Sequence, residues 1–142
     1  MTALPATSND RIVWDTYLSV YRLPVLTVAD EVGTLAALSG RALTTDELAA
    51  ELDLDARALG IHLGLLAAMG FVERREGAWR ATAEARRWLH PQGEGYCGPL
   101  IHSWRFTQPL HAQLLGTLRT GEKAEGHASA VAEWERGELP PE

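Results

Sequence analysis

Residues 43–82 read LTTDELAAELDLDARALGIHLGLLAAMGFVERREGAWRAT, and the organisation of the chain follows from this stretch. Thr44-Thr45-Asp46-Glu47 carries a hydroxyl followed, three residues on, by a carboxylate that can reach back to it, which is a helix start. Leu48, Ala49 and Leu52 give that helix one apolar side. Asp53 to Asp55 supply a second start, and Ala56 to Met69 predicts a longer helix stopped by Gly70. Two short β-prone runs follow, Phe71 to Arg75 and Ala78 to Thr82, around a Glu76-Gly77 turn. Helix, turn, helix and hairpin in this order predict a winged-helix unit.

Working outward, residues 1–8 are expected to be a flexible tail. A helix is expected from Asn9 or Asp10 to Tyr21, with Ile12, Val13, Trp14, Tyr17, Leu18, Val20 and Tyr21 spread almost all round it. A short chain cannot bury a helix that is apolar on nearly every side, so this one is expected to face a partner. Leu23-Pro24 predicts a new helix start, since proline fits a first turn, and that helix is expected to run to Ser39-Gly40. After Thr82 a short helix through Ala85, Trp88 and Leu89 leads into a breaker-rich loop, His90 to Pro99. Leu100, Ile101, Trp104, His111, Leu115 and Leu118 recur at helical spacing, with Pro109 bending or restarting the helix and Gly121 ending it. A last short helix is expected over Ala128 to Arg136. The expected domain therefore spans residues 9–136, and 137–142 is an acidic tail or the start of a linker.

The 142 residues suit one domain with its own core, at 46% hydrophobic and 23% charged. No apolar run reaches the ~20 residues that span a bilayer, so no membrane partner is expected. Nor does the start have a secretory pattern. One cysteine, Cys97, cannot form an internal disulfide, which fits a cytoplasmic protein. Twelve arginines against one lysine point to a GC-rich bacterial genome. A formal net charge of −6 disfavours nucleic acid as a partner.

The order of elements and several local motifs resemble the N-terminal dimerisation domain of S-adenosylmethionine-dependent O-methyltransferases of the plant and acetylserotonin type. The likeness rests on YRLPVLTVADEVGTLAALSGRALTTDELAAELDLDARALGIHLGLLAAMGFVERREGAWRAT, in particular Thr-x-x-Glu-Leu-Ala and the Leu-rich helix closing in Gly70-Phe71. It extends to the helix from Trp104 that ends in Leu118-Arg119-Thr120-Gly121, and covers about residues 12–136. It implies a mainly α fold: a winged-helix-type domain with a small hairpin wing, plus N- and C-terminal helices that form an intertwined homodimer. Trp14, Tyr17, Leu18 and Tyr21 are then interface residues. His102, Trp104 and His111 are candidates for the wall of a pocket holding an aromatic small molecule. In that family a glycine-rich catalytic domain follows, and here the chain stops at Pro140-Pro141-Glu142. The expectation is a dimerisation and substrate-capping module, catalytically incomplete alone. It would bind no cofactor itself, with S-adenosylmethionine entering only through a catalytic domain supplied elsewhere.

Three further patterns lack the context their chemistry requires. Gly93-Glu94-Gly95-Tyr96-Cys97-Gly98 matches the dinucleotide spacing, but a helix end precedes it instead of a buried strand, so it is expected to be a connection. Five scattered histidines and one cysteine make no metal pattern, and no nucleophile stands beside a base, so no catalytic or metal-binding residue is assigned. Arg74, Arg75, Arg80, Arg86 and Arg87 are interleaved with Glu73, Glu76 and Glu84, which weakens any phosphate-gripping field. The competing function is a winged-helix transcriptional regulator reading DNA with Arg57 to Met69. That helix places Leu59, Leu63 and Leu66 on one side, and Arg57, Ile61, Gly64, Leu65 and Ala68 on the other. A base-reading face requires polar side chains, so the second face is expected to be buried, against the 99–119 segment or a second subunit.

Overall fold

The computed structural model describes residues 11–102 and 109–122. The elements are α1 (Arg11–Glu31), α2 (Thr34–Gly40), α3 (Thr45–Leu52), α4 (Ala56–Ala68), β1 (Val72–Arg75), β2 (Ala78–Ala81), α5 (Ala83–Trp88), α6 (Gly98–His102) and α7 (Pro109–Thr120). The chain is mainly α, with one two-stranded antiparallel sheet among the described residues. The expected helix over 128–136 lies outside them.

The capping logic is realised atom by atom. Thr44 Oγ1 accepts from the Glu47 amide at 3.3 Å, and Glu47 Oε2 accepts from the Thr44 amide at 2.8 Å. The Thr44 amide and hydroxyl, both donating to Glu47 Oε2, hold the Glu47 carboxyl below its usual range. Asp55 caps α4, its Oδ1 accepting from Ala58 N at 2.8 Å. The same residue anchors α7, because its amide donates to the Leu118 carbonyl at 2.8 Å and its carboxylate lies close against Gly121. Asp55→Ala is therefore expected to lower stability by about 1 kcal/mol or somewhat more. A thermal melt should show a drop of roughly 3–5 °C; an unchanged melt would mean that neither helix end depends on this side chain.

The wing pairs Val72 with Ala81 and Arg75 with Ala78. Glu76 and Gly77 both have positive φ, 50° and 84°, the geometry that matches the twist of a tight hairpin. Leu43 joins as a single bridge to Trp79, exchanging two backbone hydrogen bonds of 3.0 and 2.7 Å. The core lies between the helices and the wing, with Val28, Leu35, Leu38, Leu48, Leu59, Leu63 and Leu66 fully buried.

One expected boundary is corrected. Pro24 does not start a helix; it sits inside α1, which runs unbroken from Arg11 to Glu31. A proline in mid-helix costs one backbone bond and a clash. Here the buried residues Pro24, Val25, Thr27, Val28 and Ala29 anchor the segment, and Thr27 Oγ1 donates to the Pro24 carbonyl at 3.2 Å. The break falls instead at Gly33, whose φ of 83° suits glycine, and α2 leaves at 65° to α1.

Candidate functional site

The first half of α1 projects from the core. Ile12 is 73% exposed, Val13 65%, Trp14 54%, Tyr17 57%, Leu18 49% and Val20 50%, while Tyr21 is half-buried. The rings form an edge-to-face ladder, Trp14 to Tyr17 at 6.2 Å and Tyr17 to Tyr21 at 6.0 Å. At the helical 100° per residue, Val13, Trp14, Tyr17, Leu18, Val20 and Tyr21 fall within one arc of about 160°. Arg11, Asp15, Thr16, Ser19 and Arg22 share the remainder with Ile12. The helix is thus more one-sided than its composition suggests: the broad arc is apolar and the opposite side carries the charges.

The second half of α1 is held by two histidines from different helices. His62 on α4 is buried, and its Nε2 donates to the Val25 carbonyl at 2.8 Å. Its Nδ1 is buried with no hydrogen-bond partner. Burial pushes the His62 pKa below the ordinary histidine value, partly opposed by the bond to Val25. His111 on α7, also buried, places Nδ1 2.7 Å from Thr27 Oγ1. Together they fasten the proline-containing segment on either side, one at a carbonyl and one at a hydroxyl. Nearby, burial and the Asp30 carboxylate push the Tyr96 phenol up.

Of the three pocket candidates, His111 therefore packs inward against α1. His102 ends α6, and Trp104 lies outside the described residues. The sequence reading missed Thr27 as the partner of His111, since 84 residues separate them and no local pattern links a threonine in one helix to a histidine in another.

The Gly93–Gly98 spacing has a local explanation. The amides of Gly95 and Cys97 donate to the Arg87 and Trp88 carbonyls at 3.3 and 2.7 Å, and those of Gly93 and Tyr96 to the His90 and Gly93 carbonyls. A side chain at Gly93 would run into the Arg87 carbonyl, and one at Gly95 into the Trp88 ring. The loop folds back over the C-terminal end of α5 and satisfies its last carbonyls, so these amides point at the protein. Among the described residues no group of His, Cys, Asp and Glu could hold a metal ion.

The arginines of the wing are engaged locally. Arg75 pairs with Glu73 at 2.9 Å, and Arg74 stacks over Trp79 at 5.3 Å. Arg86 donates to the Ala81 carbonyl at 2.6 Å, and Arg87 lies over Trp88 at 4.9 Å. On α4, Leu59, Leu63 and Leu66 face the core as expected. The opposite face corrects one expectation: the chain's own α7 does not cover it, and Ile61 and Leu65 are 59% and 45% exposed. α7 lies instead along α1, with its end at the start of α4. Among the described residues no single helix is long and apolar enough to cross a membrane.

No protein-family model matches the chain. Over 117 residues, 82% of its length, it is 29% identical to a 3-hydroxy-5-methyl-1-naphthoate 3-O-methyltransferase from Streptomyces sahachiroi. It spans only about a third of that relative, 34%. Its fold matches an O-methyltransferase family 2 protein from Planctomyces limnophilus, solved with apigenin, with a TM-score of 0.76 at 18% identity, over 95% of this chain and 40% of that one. PigF, solved with SAH, matches with a TM-score of 0.60 at 26% identity, over 70% of this chain and 32% of that one. Sequence and fold thus agree on one group of relatives, and the chain is an O-methyltransferase-related protein that corresponds to a part of those enzymes.

Proposed function

We propose that this chain is the dimerisation and substrate-capping module of an O-methyltransferase. The observation that carries the reading is the exposed arc of α1, which presents three aromatic rings and three aliphatic side chains on a fold shared with such enzymes. Soluble proteins seldom leave a patch of several hundred Å² open to water, and aromatic residues are the usual anchors of an interface. In this reading two copies pair through α1, and the segment around His102, Trp104 and His111 contributes to the wall of a neighbouring pocket. Two relatives bear on the ligand class, one named for a hydroxynaphthoate and one solved with apigenin, and both molecules are aromatic. Methyl transfer requires a catalytic domain with its own cofactor site.

The regulator reading gains no support. The outer face of α4 offers Ile61, Gly64, Leu65 and Ala68 with Arg57 as its one cation, and base edges are read by polar side chains.

Sedimentation of the chain at tens of micromolar is expected to give a homodimer; a clean monomer would remove the reading. Calorimetric titration with S-adenosylmethionine is expected to show no binding by this chain alone, since the amides of Gly95 and Cys97 cap α5. Heat at micromolar cofactor would overturn that part.

A further inference from the structure

Of the exposed large apolar side chains, which also include Trp88 and Leu100 near the 93–98 loop, two groups form stripes on the longer helices: the α1 arc, and the face of α4 carrying Ile61 and Leu65. We propose that each covers the other across the dimer, with α1 of one copy lying over Ile61 and Leu65 of its partner's α4 as well as beside the partner's α1. The proposal rests on the dimer reading above and specifies which surfaces meet.

Area supports the pairing. The exposed part of the α1 arc amounts to roughly 600 Å², with large aromatic side chains at ~150–250 Å² when whole. A standard interface takes ~800 Å² from each partner. Ile61 and Leu65 add on the order of 150–200 Å², judged from the usual transfer energy of such side chains, and bring each copy to that size. The width of the arc supports the pairing too. A surface helix normally buries a stripe a little over ~100° wide, and one neighbouring helix covers no more than that. The α1 arc, at about 160°, needs two neighbours. The partner's α1 supplies one, and a two-fold axis makes any contact from α1 to the partner's α4 occur twice.

The shapes of the two faces also agree. Ile61 and Leu65 form a ridge one turn long, and Gly64 beside it leaves open space, with nothing within 4 Å of where a side chain would begin. Ridges four residues apart pack into such grooves at an interaxial angle of about −50°. A bulky row such as Trp14, Leu18 and Tyr21 suits that opening. The chain's own α1 cannot provide it, because its exposed half continues the same unbroken helix away from the core.

The test uses the full chain carrying Cys97→Ser, a change that keeps the donor to the Gly95 carbonyl. A Leu18→Cys chain and a Leu65→Cys chain are mixed and treated with a short bismaleimide. The expected result is a covalent pair joining the two different chains, with the Leu65→Cys thiol alkylated at least ten-fold more slowly in the dimer than after dilution to monomer. Linkage of Leu18→Cys only to itself, with Leu65→Cys equally reactive in both states, would overturn the proposal while leaving the dimer standing. Protection of Leu65→Cys that persists in the monomer would assign the cover to residues of the same chain and also overturn it. A parent chain that never dimerises sinks the underlying reading instead. In parallel, Ile61→Lys should weaken dimerisation at least ten-fold with the helical circular dichroism of the monomer unchanged. Dimerisation at the parent strength would count against the contact.

Discussion

Trp14→Asp is expected to convert the protein to a folded monomer, raising the dimer dissociation constant by about 100-fold or more. The size follows from the usual loss of a few kcal/mol when a buried aromatic anchor is replaced, with the added cost of a carboxylate in a dry contact. The fold should survive, because Trp14 is 54% exposed in the single chain and packs on Tyr17 rather than on the core. Ser19→Asp is the control: it adds the same charge to the same helix, on the polar side, and should leave the dimer intact. Sedimentation velocity over a concentration series reads both. If the two substitutions weaken the dimer equally, the arc is not the contact; if neither does, α1 is not the interface.

Acid is expected to destabilise the fold through His62. Its folded-state pKa is depressed by burial, so the native ring stays neutral while the unfolded ring takes up a proton as pH falls through about 6.5. The unfolded state then binds more protons than the native one. Stability is fully present above the unfolded pKa and falls below it, by up to about 1.4 kcal/mol per pH unit, until the depressed native pKa is reached. Two features make His62 a poor proton acceptor: Nε2 already donates to the Val25 carbonyl, and Nδ1 has no partner to receive a new hydrogen. Urea melts between pH 7.5 and 5 should show this slope. His62→Gln, which can still donate to Val25, should flatten it even if overall stability drops. A slope identical in His62→Gln would place the effect in another group.

Much of the fold was legible because its signals are local. The Thr44–Glu47 box, the Asp55 cap, the Glu76-Gly77 turn and the Leu59-Leu63-Leu66 stripe are each set by residues within a few positions of one another. The misplaced helix start at Pro24 shows where locality ends. Proline normally marks a boundary, but here buried packing and long-range bonds to His62 and His111 keep the helix whole. The inward orientation of His111 was illegible for the same reason, since its partner Thr27 belongs to another helix. The Gly93–Gly98 match was legible as a connection from its context, a helix end in place of a buried strand before it. Spacing alone cannot tell a loop whose amides face outward from one whose amides turn back onto the preceding helix. That α7 leaves Ile61 and Leu65 uncovered was not legible, because periodicity says which residues share a side and nothing about what lies across from it.

The continuity of α1 has a mechanical consequence. Twenty-one residues make a helix about 30 Å long, clamped at its inner end by two imidazoles and, in the proposed dimer, held at its outer end by the partner copy. Pro24, which lacks an amide hydrogen, sits beside the clamp, so any bend falls at the fulcrum and the outer half from Arg11 to Leu23 moves as one piece. Loosening the clamp tilts the whole outer end, so protonating or removing a histidine deep in one subunit would be felt as slackening at the other end of the lever.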